Sequence, residues 1–285
     1  MRIADRYGQG RPVFSFEFFP PKTDAGFRAL YDTVQELKLL NPDYVSVTWG
    51  AGGSTRRKTV EIVAQIQQEI GVTTMAHLSC IGSTPDQLAE TLTRLRSGGI
   101  ENVLALGGDR PADYVPPEGA FTHANELAHF IKSRGNLCVG GACYPETHPL
   151  AESPESDLRW CKQKVDDGVE FLITQLFFDN ADYFRFVERA RAAGITVPIV
   201  PGIMPILNVK SIRRMTALSG AKIPAELRAA LDRVEGEDDA TRGVGVQWAI
   251  EQCRELLAHE VPGIHFYTLN KSGATRAIFE ELLRG

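Results

Sequence analysis

The feature that most constrains this chain is an alternation repeated eight times along its length: a short β-branched or aromatic run, then a longer amphipathic segment. That rhythm belongs to a parallel sheet whose strands are joined by crossover helices. Strands are predicted at 13–18 (VFSFEF), 44–48 (YVSVT), 73–79 (TTMAHLS), 102–106 (NVLAL), 137–143 (LCVGGAC), 170–176 (EFLITQL), 197–201 (VPIVP) and 264–268 (IHFYT). Helices are predicted at 24–40, 56–70, 85–97, 123–134, 154–167, 180–193, 208–219 and 273–283. Thr84 before Pro85 and Ser153 before Pro154 each set a capping side chain ahead of a proline at the first helical position. Between the seventh and eighth strands, 224–259 reads as an inserted helical arm interrupted by the acidic stretch at 235–239. Eight βα units in succession close most naturally into a single (β/α)8 TIM barrel over 1–285 with extra helices between strands 7 and 8. An open doubly wound sheet is the alternative fold.

Charge and composition exclude several classes of function. With 31 Lys and Arg against 36 Asp and Glu the net charge is −5, which lacks the basic face that nucleic-acid phosphates require. No apolar run approaches the ~18 residues of a membrane span, and the N-terminus has no apolar signal-peptide core, so a cytoplasmic protein without a membrane partner is expected. The five cysteines are odd in number and sparse; Cys138 and Cys143, five apart in one strand, fall on opposite faces, so buried thiols rather than disulfides are expected. The six histidines show no HExxH or comparable spacing, and no metal site is expected. GxGxxG, GxxxxGK[ST] and GxSxG are absent as well, so any dinucleotide binds by other means.

A barrel carries its active site at the C-terminal ends of its strands. In the first strand the phenylalanines 14, 16 and 18 form the helix-facing side, which turns Val13, Ser15 and Glu17 inward. An inward carboxyl near apolar surface has its charged form disfavoured, which raises its pKa and suits it to proton donation. A structural acid paired across the barrel is the alternative. The second strand turns Tyr44, Ser46 and Thr48 inward, and the WGAGGS that follows reads either as a phosphate cradle or as a plain βα turn. Thr73, Met75 and His77 form the inward set of the third strand. In the fourth, Val103, Ala105, Gly107 and Asp109 share a face that narrows toward the rim and ends in a carboxylate. Together with Gly140 and Gly141 of the fifth strand, Gly107 and Gly108 suggest a bare recess for a planar heteroaromatic ring; close helix-to-strand packing is the alternative. Phe171, Ile173 and Gln175 alternate inward on the sixth strand, and the Gln175 amide can both donate and accept along a pterin or pyrimidine edge. Lys164, on the preceding helix, is within reach of an anionic ligand or simply solvated.

Seven segments occur in order at the strand ends: FSFEFFPPKT, YVSVTWGAGGS, LALGGDRP, CYPETHP, FLITQLFFD, VPIVPGIMP and HFYTLN. Together they resemble the bacterial FAD-dependent methylenetetrahydrofolate reductases, from about Phe14 to the C-terminus. The resemblance implies a barrel with FAD at its C-terminal face, where NADH or NADPH and 5,10-methylenetetrahydrofolate take turns beside the flavin in a ping-pong hydride transfer. It implies that Glu17 is the general acid and that Asp109 tunes the flavin and contacts the pterin. Thr48, His77, Gly107, Gly108, Asp109, Tyr144, His148, Asp157 and Lys164 correspond to cofactor-binding positions, and Glu17, Gln175, Tyr267 and Lys271 to the substrate end. A homo-oligomer with small-molecule partners is implied too. Three departures stand out: Lys271 where the family leads one to expect Arg, Val209 where relatives often place a substrate-stacking Phe, and a different 111–121 loop. The tyrosine expected near the adenosine part of FAD is not located in that loop, and His123 is the candidate for its position. Other classes left open are a flavin-free pterin-binding methyltransferase barrel, a proline-oxidase-like flavin dehydrogenase, and a non-catalytic barrel subunit.

Overall fold

The computed structural model of the chain describes residues 1–49, 53–109 and 113–284. The predicted phosphate cradle at Gly50–Gly52 falls outside the described residues. A 3-10 turn (Ala4–Arg6) precedes β1 (Val13–Phe18), α1 (Asp24–Lys38), β2 (Tyr44–Val47), α2 (Gly53–Gln65, continuing as a π turn to Ile70) and β3 (Thr74–Ser79). There follow α3 (Pro85–Ser97), β4 (Asn102–Leu106), α4 (Ala124–Ser133), β5 (Cys138–Cys143), α5 (Pro154–Asp166), β6 (Phe171–Thr174) and α6 (Asn180–Ala192). The chain ends with β7 (Ile199–Val200), β8 (Gly202–Ile203), α7 (Val209–Ser219), α8 (Ala225–Arg233), α9 (Asp238–Ala258), β9 (Gly263–Tyr267) and α10 (Ser272–Arg284).

The nine strands form one parallel sheet in the order β7-β6-β5-β4-β3-β2-β1-β9-β8. Its two end strands are consecutive in the chain and flank Pro201, so the backbone itself joins the ends. The predicted seventh strand is thus split: proline has no N–H to give a ladder. Ile199 and Val200 pair with β6, while Gly202 and Ile203 pair with β9. The Pro201 carbonyl still accepts from His265 N at 3.0 Å. The TIM-barrel expectation therefore holds, with the seventh strand bent in two.

Helix starts follow local chemistry. Thr84 and Gln87 form a reciprocal capping box at α3, and the Ser153 hydroxyl accepts from Ser156 N at α5. The inserted arm is two helices, α8 and α9, and α9 ties back to the end of β6: Gln252 Nε2 donates to Phe177 O and Trp248 Nε1 to Phe178 O.

Strand side chains divide between two cores. Phe16, Phe18, Val45, Val47, Val103, Ala105, Val139 and Leu172 pack outward on the helices. Val13, Tyr44, Met75, Leu104, Cys138, Phe171, Ile173 and Val200 fill the interior together with Ile3 and Tyr7 from the N-terminal segment. This confirms the inward sets read for β1, β2, β3 and β6 and puts Cys138 and Cys143 on opposite faces. The phase read for the fourth strand is corrected: Val103 and Ala105 face the helices, and Leu104 and Leu106 face the interior. The five cysteines are buried and free. Among the described residues, no helix is long and apolar enough to cross a membrane.

Candidate active site

Because the strands are parallel, Glu17 at the end of β1 and Asp109 just beyond β4 lie at the same mouth of the barrel. The two differ in setting. Glu17 is 8% exposed, whereas Asp109 is exposed at the rim. Glu17 sits opposite Ser46 on β2 and Tyr267 on β9 in the sheet register. Its Oε2 lies 3.2 Å from His265 Nε2 and 3.4 Å from His77 Nε2. Only the His265 contact has hydrogen-bond alignment, and His77 Nε2 is a buried nitrogen without a hydrogen-bond partner. On its other side, His265 Nδ1 meets the Ser15 hydroxyl at 2.7 Å. The Glu17 carbonyl is held as well, accepting from Thr268 Oγ1 at 2.6 Å. Asn270 clamps Phe19, two residues further on, by accepting from Phe19 N and donating to Phe19 O. The YTLN segment thus fixes the strand end that carries the acid; its turn places Leu269 and Asn270 at φ of 54° and 55°.

These neighbours reverse the expected direction of the Glu17 pKa. Burial pushes the carboxyl up, but the facing His77 and the hydrogen bond and charge of His265 outweigh burial, and the net direction is down. Burial pulls the His77 imidazole down to about 4, against the attraction of Glu17. At neutral pH His77 is therefore uncharged, and His265 gives Glu17 its aligned hydrogen bond. His265 is the functional residue that sequence reading missed. Its signal was the alternation in GIHFY, which turns His265 and Tyr267 to the same side as Glu17.

A second cluster occupies the neighbouring part of the mouth. Asp157 Oδ2 accepts from His148 N at 3.0 Å, and the Tyr144 and His148 rings meet edge to face at 4.5 Å. Burial, reinforced by Asp157 and Asp109, pushes the Tyr144 hydroxyl up to about 12. Burial pulls His148 down, with Asp157 opposing and Lys164 reinforcing. Lys164 leans from α5 onto the strand and donates to Ala142 O. The structure therefore brings Asp109, Tyr144, His148, Asp157 and Lys164 together. Tyr267 lies between the two groups: its hydroxyl donates to Thr174 O at 2.6 Å, and burial, Glu17, Cys143 and Tyr144 all push it upward.

The remaining expected residues are distributed more loosely. Thr48 directly follows β2, half-buried, with its amide on Phe18 O. Gln175 directly follows β6, half-buried, and its Oε1 accepts from Leu176 N. Gly107 carries a carbonyl that accepts from Ser79 Oγ at 2.9 Å and Ile81 N at 3.0 Å. Gly108 has φ +93°, and a Cβ there would run into the Ser79 side chain, so glycine is required. The bare recess is not continued onto β5. Gly140 faces the interior, where the Phe171 ring and Leu104 occupy the space, and Gly141 faces Val169 and Leu172 outside. Close packing explains this pair.

Three departures resolve differently. Val209 is 3% exposed in an apolar cluster with Leu176, Met204, Ile206 and Ile212. Lys271 is exposed, with its amide on Thr268 O, and is not brought into the Glu17 group. The 111–121 loop does contain a tyrosine, Tyr114, which the sequence reading overlooked; its hydroxyl accepts from Gly82 N at 2.8 Å. His123 precedes α4 and stacks on Trp160 at 5.3 Å.

Comparison with known proteins bears on this geometry. The methylenetetrahydrofolate reductase family profile matches residues 2–283. The chain is 43% identical to methylenetetrahydrofolate reductase (NADH) 1 of Arabidopsis thaliana, over 95% of this chain and 49% of that protein. It is 36% identical to 5,10-methylenetetrahydrofolate reductase of Escherichia coli K12, over 96% of this chain and 92% of that one. It thus spans about half the length of the plant relatives and nearly all of the bacterial one. Among solved structures, a Clostridium thermocellum protein described as binding two copies of 5-methyl-5,6,7,8-tetrahydrofolic acid has the same fold, with a TM-score of 0.67 at 17% identity over 95% of this chain and 93% of that one. The chain belongs to the methylenetetrahydrofolate reductase family.

Proposed function

We propose that the protein reduces 5,10-methylenetetrahydrofolate to 5-methyltetrahydrofolate, with FAD as resident cofactor and NADH or NADPH as electron source. The observation that carries this reading is a buried carboxyl, Glu17, held by histidines at the same mouth as the Asp109–Tyr144–His148–Asp157–Lys164 cluster, in a chain of this family.

The residues fit a polar, planar cofactor. Toward the ends of β2 and β3, Ser46 Oγ, Trp49 Nε1 and His77 Nε2 are buried polar atoms without hydrogen-bond partners. Such atoms are costly unless something pairs with them. Thr48, His77, Gly107, Gly108, Asp109, Tyr144, His148, Asp157 and Lys164 would hold the flavin, and Gln175, Tyr267 and Lys271 the substrate end. Bound there, FAD would supply the hydride-transfer chemistry between nicotinamide and folate.

The chain's own contribution is proton placement and charge. Glu17 delivers a proton to the folate nitrogen that leaves the methylene bridge. The charged carboxylate of the open site needs a reason to hold that proton, and covering the mouth supplies one: stacked ligand removes the remaining water and strengthens the burial that already acts upward on Glu17. Asp109, exposed at the rim, stabilises the cation that develops on the opened folate. Tyr267 closes the side of the mouth between them through its bond to Thr174 O.

An anaerobic titration tests the proposal. The purified protein is expected to be yellow, to bleach with NADH or NADPH, and to recover its colour with methylenetetrahydrofolate. A colourless protein that binds methyltetrahydrofolate would replace this reading with a flavin-free methyltransferase; a flavin recoloured by no folate would replace it with another dehydrogenase.

A further inference from the structure

The segment after β5 that carries Tyr144 and His148 is strained, and it is held from two sides. Tyr144 to Thr147 form a tight turn, closed by Thr147 N donating to Tyr144 O at 3.3 Å. Thr147 leaves the turn at φ +83°, in the left-handed region that a β-branched residue avoids. A backbone in that state persists only where its surroundings hold it there, and such residues gather at binding sites. One hold comes from α5, where Asp157 Oδ2 accepts from His148 N at 3.0 Å.

The other hold comes from the turn between α7 and α8. Lys222 N donates to Glu146 Oε1 at 2.9 Å, and Lys222 Nζ stands 3.8 Å from the same oxygen. The Glu146 side chain is only 6% exposed and that of Lys222 72%, so the backbone bond is sheltered while the ammonium lies mostly in water. Burial together with Asp182 and Asp179 disfavours the charged form of Glu146, and its carboxyl lies above its ordinary value. Charge pairing therefore does little to keep it in place; the bond from Lys222 N is what joins the two loops. Alongside it, Pro149 packs against Gly220: a Cβ on that glycine would come within 3.1 Å of Pro149 Cγ. The turn is a firm support, because Gly220 ends α7 at φ +77° with its amide on Thr216 O at 2.9 Å.

We propose that Glu146 is a positioning residue, which anchors the strained Tyr144–His148 turn to the α7–α8 turn and so holds both rings where the flavin binds. The proposal rests on the reading that Tyr144 and His148 hold flavin; the anchoring contacts do not. It gives the turn that leads into the inserted arm a part in the site, although that turn offers the flavin no ligand of its own.

The test measures release of FAD from the holoenzyme, read as the rise of flavin fluorescence on dilution, beside the melting temperature. Glu146→Ala removes the acceptor and is expected to weaken FAD binding about tenfold. Glu146→Gln keeps an acceptor oxygen and Lys222→Ala keeps the N–H, so both are expected to stay within about threefold of wild type. Gly220→Ala presses on Pro149 without touching Glu146, and a weakening of roughly two- to threefold is expected there. Ile3→Ala is the control for lost stability alone: Ile3 belongs to an N-terminal plug fully buried in the barrel interior, and its loss is expected to lower the melting temperature with FAD affinity unchanged. Wild-type affinity in Glu146→Ala would overturn the proposal, as would a Glu146→Gln as weak as Glu146→Ala, or an Ile3→Ala that releases FAD as readily. Failure of the functional reading looks different: the wild-type protein itself would bind no FAD, and the inference would fall with it.

Discussion

The two ends of the barrel are built from the same strands to opposite specifications. At the N-terminal end, Ile3, Val13, Met75, Leu104 and Phe171 pack against one another. Most of the polar groups there are paired, Asp43 with Arg6 and Arg11, Asn102 with Met1 and Ile3, Arg2 with Glu170, and Arg6 Nε is left without a partner. At the C-terminal end, Ser46 Oγ, Trp49 Nε1 and His77 Nε2 are buried and unpaired, and Glu17 shares its surroundings with two histidines. One end has stability as its product. The other keeps unsatisfied polarity, which costs stability and is retained where a ligand supplies the missing partners.

That contrast can be broken most severely from the packed end. Ile3→Ala is expected to cost about 2–5 kcal/mol, read in urea unfolding, with an unchanged KM for folate in the molecules that remain folded. An altered KM with little lost stability would mean the plug is not a packing element. The ligand end is expected to show its character in pH. His77 titrates near 4 in the fold against an ordinary value of 6.5, so between these values the unfolded chain binds the extra proton. Its contribution, roughly 3 kcal/mol, is present above pH 6.5 and is lost as pH falls toward 4. His77→Gln should flatten unfolding free energy across that window; an unchanged slope would show that His77 is not the residue responsible.

Smaller effects sharpen the description of the rim. Gly108→Ala meets both a positive φ and the Ser79 side chain, and should cost about 1–3 kcal/mol while weakening retention of flavin on dilution. Retention and stability equal to wild type would show that the rim relaxes freely. Asn270→Ala removes both clamps on Phe19 and should cost about 1 kcal/mol, with a modest slowing of folate reduction and none of flavin reduction by NADH.

Much of this was legible in the sequence because alternation is strong where one face differs chemically from the other. FSFEF separates phenylalanines from serine and glutamate, and Glu17 was placed correctly from that alone. In NVLAL both faces are apolar, as in any strand buried on both sides, and the phase was read one residue off. His265 stood in a mixed apolar and aromatic run, and its importance depends on pairing with Ser15 across 250 residues, which spacing does not reveal. For the same reason the direction of the Glu17 pKa was misjudged: burial could be foreseen, the two histidines could not. The N-terminal plug has neither helical nor strand periodicity, only contacts made at long range.

The central claim is that Glu17 supplies the proton in folate reduction and has no part in reducing the flavin. Anaerobic stopped-flow measurement of the two half-reactions in Glu17→Gln separates these directly. The account predicts a loss of about 10²- to 10⁴-fold in flavin reoxidation by methylenetetrahydrofolate, with flavin reduction by NADH or NADPH near the wild-type rate. Equal losses in both half-reactions, or retention of both, would contradict it.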